Sequence, residues 1–367
     1  MTVQSTAAAR RKIAIEALSR ELDASNPASS ASRLGALLSG PHAMAASADI
    51  DGLVSATMLG SVAPSWEVVA LQVQSTTMLV HPSVAQGMPA DLVAVDLFSV
   101  NHHSISNHVV KYGSRGLRLA GLRAAFQAWD ASIDTAGQTY LQAVPAIWAG
   151  TEGSYEDAGR PYSSKYKYPL GTAQILLAML EASGHPPKFF DRHYLPWLVA
   201  NCDGGVSTYT KYAWNARVWW PVMAGAVGPA SLTEQVFRLV DGMRPHDFAD
   251  TVNALDRERA ANGEQAWLDD NWNLAGPRTS TIERALRWLC DLTGWRDPLR
   301  GGIDGLKHWV QQPVNGSGAV PIAGPSRVST ATEAAAIAAV GSASTALSAN
   351  FYHGGFSGSR FNWAGGW

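Results

Sequence analysis

The sequence has 367 residues, which at roughly 100–200 residues per domain points to two domains or three. Apolar residues make up 46% of it, enough to bury a sizeable core and to argue against general disorder. Only 16% are charged, and 28 Lys and Arg against 30 Asp and Glu leave a formal net charge of −2, which argues against broad binding to a nucleic-acid backbone or an anionic membrane but leaves room for one nucleotide in one pocket.

In chain order, residues Ala7 to Leu22 carry Ile15, Leu18 and Leu22 on one stripe and predict an amphipathic helix, stopped by Ser25-Asn26-Pro27. Arg10, Arg11 and Lys12 faintly suggest a targeting peptide, but Glu16, Glu21 and Asp23 follow with no apolar segment and cleavage site, so a cytoplasmic protein is expected. From Pro41 to about Ala213 strand and helix patterns alternate: strands at Ala43–Ser47, Trp66–Val73 and Leu92–Asp96, helices at Leu53–Gly60, Leu117–Trp129 and Gly171–Ala182. Gly150–Lys167 is polar and rich in Gly and Tyr, and reads as a long loop. From Pro229 the pattern is helical, at Leu232–Val240, Ala249–Arg259 and Ile282–Thr293. Pro313–Pro325 reads as a Gly/Pro-rich joint. The Ala-rich stretch Ala331 to Ala349 is interrupted by Glu333, Gly341 and several serines and does not span a bilayer. An aromatic, Gly-rich tail from Phe351 to Trp367 closes the chain and is expected to be ordered. The expected fold class is α/β, a mostly parallel sheet with flanking helices, followed by a helical linker region and a small C-terminal substrate-binding segment. The expected divisions are 1–40, 41–228, 229–312 and 313–367.

Candidate chemistry collects where the predicted strands end, the usual position of ligand sites in parallel sheets. Asp49-Ile50-Asp51-Gly52 presents two acids separated by one residue just after a strand. Such a pair suits a hard divalent cation, although Asp also serves as a helix N-cap. Asp96 ends the strand Leu92–Asp96, and Asn101-His102-His103-Ser104-Ile105-Ser106-Asn107-His108 follows with three histidines in seven residues. Imidazole with carboxylate is the mixed donor set of two-metal hydrolases. Asp203, after an apolar helix and before Gly204-Gly205, adds a fourth acid. Cys202 and Cys290 form neither a disulfide framework nor a Cys-x-x-Cys pair. Trp214, Trp219 and Trp220 read chiefly as packing residues.

Together Asp49-x-Asp51-Gly with Ser55-Ala56, the strand-end Asp96, the paired histidines and Asp203 resemble the DHH phosphoesterases, over about the first 210 residues and the tail. The resemblance implies a parallel-sheet metal domain, a helical linker and a smaller substrate domain with a glycine-rich motif, loosely echoed by His353-Gly354-Gly355. It implies that Asp49, Asp51, Asp96, His103 and Asp203 hold one or two Mn2+ (or Mg2+) ions, with Asp49, His102 and His103 as catalytic groups. His353, Gly354, Gly355, Ser357 and Arg360 would bind the substrate, a small nucleotide or short oligonucleotide, with a homodimer among the expected associations. Three positions depart from the family pattern. Ser47 stands where His or Asp is usual, Asn101 opens the triplet in place of Asp, and the gap before the triplet is short, so that Asn107-His108-Val109 is an alternative triplet. These departures motivate a second reading, a catalytically degenerate nucleotide- or partner-binding protein. A third is a HAD-type phosphatase with Asp49 as nucleophile, although Leu53 sits where those enzymes usually carry Thr.

Overall fold

The computed structural model describes residues 3–74, 77–108, 119–149, 169–189, 194–200, 202, 209, 213–242, 279–313, 318–321, 330–351 and 360–365. The expected loop Gly150–Lys167 and helix Ala249–Arg259 lie outside these residues.

Short, small-residue strands form the centre of the structure. Strand β1 (Ala43–Ser47) is buried along its whole length, as are β3 (Thr77–Val80) and β4 (Leu92–Val95), the pattern of strands covered on both faces. With β2 (Glu67–Gln74), β5 (His103–Ile105), β6 (Gln142–Ala143) and β7 (Val310–Pro313) they build a seven-stranded sheet in the order β6-β5-β4-β1-β2-β3-β7. Neighbours from β6 to β2 are parallel, and only β3 runs against the rest. The α/β class and the mostly parallel sheet expected from sequence are therefore present. After β1 the chain moves to one side through β2 and β3, then crosses to the other side of β1 for β4, β5 and β6. The crevice between β1 and β4 is thus the point where strand order reverses, the preferred ligand position in open parallel sheets.

Two helices back this crevice. Helix α3 (Ile50–Val62) starts two residues after β1 and is buried from Ile50 through Gly60. A helix with no polar face must lie inside the protein. It packs on another, reached after α1 (Val3–Glu21), α2 (Ser30–Leu37), α4 (Ala120–Thr139) and α5 (Pro145–Trp148). This partner, α6 (Thr172–Ala182), is buried from Thr172 through Leu180 and also touches α2, α7 (Tyr194–Ala200), α8 (Ala213–Val227) and α9 (Leu232–Gly242). Trp219 and Trp220 on α8 are fully buried, in keeping with packing roles. Glu181, in the last turn of α6, accepts the Leu232 and Thr233 backbone N–H groups at 2.6 and 2.8 Å and so caps α9. Helix α10 (Thr279–Thr293) lies against α3. The chain after it returns to β2, where Val68 N–H donates to the Pro298 carbonyl at 2.8 Å and Arg300 N–H to the Val68 carbonyl at 3.0 Å. One hydrophobic cluster runs from Ala14 to Val340 and draws residues from all four expected divisions.

Within the expected Gly/Pro joint, residues 318–321 form a strand, β8 (Gly318–Pro321). It pairs with β10 (Arg360–Gly365), which also pairs with β9 (Asn350–Phe351), giving a second, three-stranded sheet beside α11 (Glu333–Ala349). Among the described residues no helix is long and apolar enough to cross a membrane.

The turn from β1 into α3 depends on Gly52. A Cβ at that position would sit 2.3 Å from the Ser47 carbonyl oxygen and 2.5 Å from the Ser47 hydroxyl. Gly52→Ala is expected to destabilise the protein by about 1–3 kcal/mol, the usual cost of overpacking, measured by urea unfolding. A wild-type midpoint in the variant would show that the turn has slack.

Candidate active site

The site is assembled at the carboxyl ends of β1, β4 and β5. β1 delivers Ser47, and two residues later Asp49 caps α3, its Oδ1 accepting the Gly52 N–H at 2.9 Å. The N-cap role open to Asp from sequence is thus occupied. Within the first turn of the helix Asp51 is fully buried. Its Oδ2 accepts the Thr172 N–H and its Oδ1 the Ala173 N–H, both at 2.8 Å. A carboxyl group on α3 therefore satisfies two of the orphan donors that open α6, and lies where the positive end of that helix's dipole favours it.

Asp96 follows directly on β4 with φ 55°, a left-handed conformation that Asp tolerates better than most side chains. It is 3% exposed. Its Oδ2 accepts the Ser47 hydroxyl at 2.7 Å and its Oδ1 the Thr172 hydroxyl at 2.6 Å. Burial raises the Asp96 pKa well above the usual carboxylate value, and the nearby Asp49 and Asp51 raise it further, against the lowering effect of the two hydroxyl donors. Asp51 and Asp96 are thus buried carboxyl groups, with the half-buried Asp49 close enough to act on Asp96.

β5 contributes the alternative triplet. Asn107 is 2% exposed, and its N–H donates to the Thr172 hydroxyl oxygen at 3.0 Å. Its side-chain oxygen and nitrogen are buried with no hydrogen-bond partner. His108 Nε2 lies 3.1 Å from the Asp96 carbonyl oxygen and 3.9 Å from Asp96 Oδ1. Donation to that carbonyl places the ring hydrogen on Nε2.

His102 and His103, expected beside the acids, are elsewhere. His103 opens β5 and His102 precedes it: His103 pairs with Val93, three residues before Asp96, or about 10 Å along a strand. His103 Nδ1 accepts the Leu141 N–H at 2.9 Å, and its ring meets His42 and Tyr140 edge-on. His102 has its ring centroid 6.3 Å from that of Phe351. The amino end of one parallel strand and the carboxyl end of its neighbour lie at opposite edges of the sheet, so the three-residue β5 separates His103 from the acids and delivers Asn107 and His108 instead. Asn101, the expected triplet opener, is exposed just before β5. Asp203, His353, Gly354, Gly355 and Ser357 lie outside the described residues. Arg360 opens β10 in the second sheet.

Sequence reasoning missed Thr172, and read Ser47 only as a departure from the family. The available signal was a Thr at the first position of a helix, next to Gly171, where its N–H has no partner within the helix.

The donor set suits a hard divalent cation. Carboxylate oxygens and imidazole nitrogens are ordinary ligands for manganese, and the raised pKa of Asp96 is what a cation bound beside it would relieve. His108 fits less well, since the ring nitrogen that faces Asp96, Nε2, is already committed to the Asp96 carbonyl. Asp51 fits less well, since both its oxygens already cap α6. Among the described residues no three His, Cys, Asp or Glu stand together in a ligating cluster.

No protein-family model, no curated protein and no solved structure matches this chain.

His103 gives a pH test of its placement. Burial first, then the neighbouring His42, Arg33 and His102, lower its pKa to about 4 from the ordinary 6.5. The unfolded chain then binds the proton more tightly, so stability falls as pH drops from about 6.5 towards 4. Urea unfolding across that range is expected to show this loss, with a shallower slope in His103→Gln; an unchanged slope would count against the buried placement.

Proposed function

We propose that this chain is a metal-dependent phosphoesterase of the DHH type, hydrolysing a phosphodiester or phosphoanhydride bond in a small nucleotide or short oligonucleotide. The observation that carries the reading is the convergence of Asp49, Asp51 and Asp96, with Asn107 and His108, on the crevice where the strand order reverses. Acids gathered beside an imidazole at such a crevice are the donor types that a cation site uses.

Asp49 and Asp96 would hold Mn2+ or Mg2+, with His108 and Asp203 as further candidate ligands. Such an ion supplies Lewis acidity and a bound water of lowered pKa. The chain's own contribution is orientation and exclusion of water. The Asp96 carbonyl holds the His108 ring by Nε2–H. The Ser47 and Thr172 hydroxyls hold the Asp96 carboxyl in one rotamer. The Asn107 side-chain amide offers a donor to a phosphoryl oxygen. A near-balanced chain charge suits a small substrate better than a long polymer. Both described cysteines are free thiols, in keeping with a cytoplasmic location.

A second reading, a binding protein on the same fold, is supported by a specific observation: all four carboxyl oxygens of Asp51 and Asp96 already accept a protein donor.

The two readings separate on metal content and turnover. The purified chain incubated with Mn2+ is expected to retain about one to two ions and to hydrolyse bis(4-nitrophenyl) phosphate or short nucleotides. Asn is itself a good N-cap, so Asp49→Asn should fold normally. It should weaken Mn2+ binding by more than the roughly 10–100-fold typical of outer-shell changes. Nucleotide binding that persists in EDTA without turnover would establish the binding protein, and covalent phosphate trapped on Asp49 would establish the HAD-type phosphatase.

A further inference from the structure

Thr172 belongs to none of the motifs that carry the phosphoesterase reading, yet three segments of the site meet at it. It is fully buried at the first position of α6. Its N–H donates to Asp51 Oδ2 on α3 at 2.8 Å. Its hydroxyl donates to Asp96 Oδ1 after β4 at 2.6 Å and accepts the Asn107 N–H after β5 at 3.0 Å. A hydroxyl has one hydrogen and two lone pairs. Here the hydrogen is committed to the acid and one lone pair to the amide, so the polarity of the hub is set in one direction, from Asn107 through Thr172 to Asp96.

We propose that Thr172 is the positioning residue of the site, the group that sets Asp96 and the Asn107-His108 pair in register with each other. The hydrogen-bond hub stands on geometry alone; its consequence for ion binding rests on the phosphoesterase reading. Without the hydroxyl, Asp96 keeps only Ser47 as a side-chain donor, and the Asn107 N–H loses its partner in a place water does not reach. A buried N–H without a partner is costly, so the β5 end is expected to shift and carry His108 away from Asp96. The Thr172 N–H is unaffected by side-chain replacement and continues to hold α6 on Asp51. The role is therefore separable from helix capping.

The test compares Thr172→Val, which keeps the shape without the hydroxyl, with Thr172→Ser, which keeps the hydroxyl. Leu176→Ala, on the same helix and fully buried, is the control for simple loss of packing. Mn2+ affinity is measured by titration calorimetry, and amide hydrogen exchange at Asn107 is compared with that at Val93–Val95 of β4. Thr172→Val is expected to weaken Mn2+ binding by about tenfold or more, the range seen for outer-shell partners, and to make Asn107 exchange faster relative to β4. Thr172→Ser should hold both near wild type, and Leu176→Ala should speed all these amides together without singling out Asn107. Thr172→Ala gives the same readout should the valine variant not fold. Wild-type Asn107 exchange in Thr172→Val, or an equal loss of Mn2+ affinity in Leu176→Ala, would overturn the proposal. If the wild-type chain itself takes no Mn2+, the phosphoesterase reading fails, and the Asn107 exchange alone then decides whether Thr172 is the hub.

Discussion

The contact on which the rest of the architecture depends is the Asp51 carboxyl group set against the first two N–H groups of α6. It joins the helix that leaves β1 to the helix at the centre of the helical layer. Neither could be buried as deeply without it, because the opening turn of a buried helix carries N–H groups that need acceptors. The protein repeats the device one level out, where Glu181 at the far end of α6 caps α9. A chain of acid-to-helix-start contacts thus runs from the sheet outward, and each link orders the helix that carries the next. Such contacts suit a protein with few charged residues, since each carboxyl group satisfies two backbone donors at once.

The same contact explains the tension within the site. Three acids lie near the end of a central strand pair, and Asp96 bears the electrostatic cost of its neighbours. Yet hydrogen bonds to Ser47, Thr172 and Ala173 satisfy the carboxyl groups without any ion. Capping and ion binding are not exclusive, because each carboxylate oxygen has two lone pairs. Ser47 matters in this light: its hydroxyl donates to Asp96 and satisfies part of that acid from within the protein.

Strands and helices with strong local patterns were legible in the sequence. β1 at Ala43–Ser47 and β4 at Leu92–Val95 follow from uninterrupted small or apolar runs, and α6 and α10 from their three-and-four spacing. The acids at the ends of β1 and β4 were legible for the same reason, since a strand's end can be read from its own residues. β5 was not. Three residues, one a histidine and one a serine, carry no detectable period, and only pairing with β4 and β6 makes His103–Ile105 a strand. Missing it moved the histidine pair to the wrong edge of the sheet. β8 within the Gly/Pro-rich joint was hidden similarly, being defined by its partner β10.

The sequence by itself determined the class of fold, the strand-end acids and the near-neutral surface, because hydrophobic period and composition are local quantities. Only the tertiary structure decided which histidine stands beside Asp96, that Asp51 holds a helix, and that Thr172 lies between three segments. Those facts depend on strand order and register, which bring together residues 51, 96, 107 and 172 across more than a hundred positions of chain. Hydrogen-bond partners so far apart leave no periodic trace in the sequence of either one.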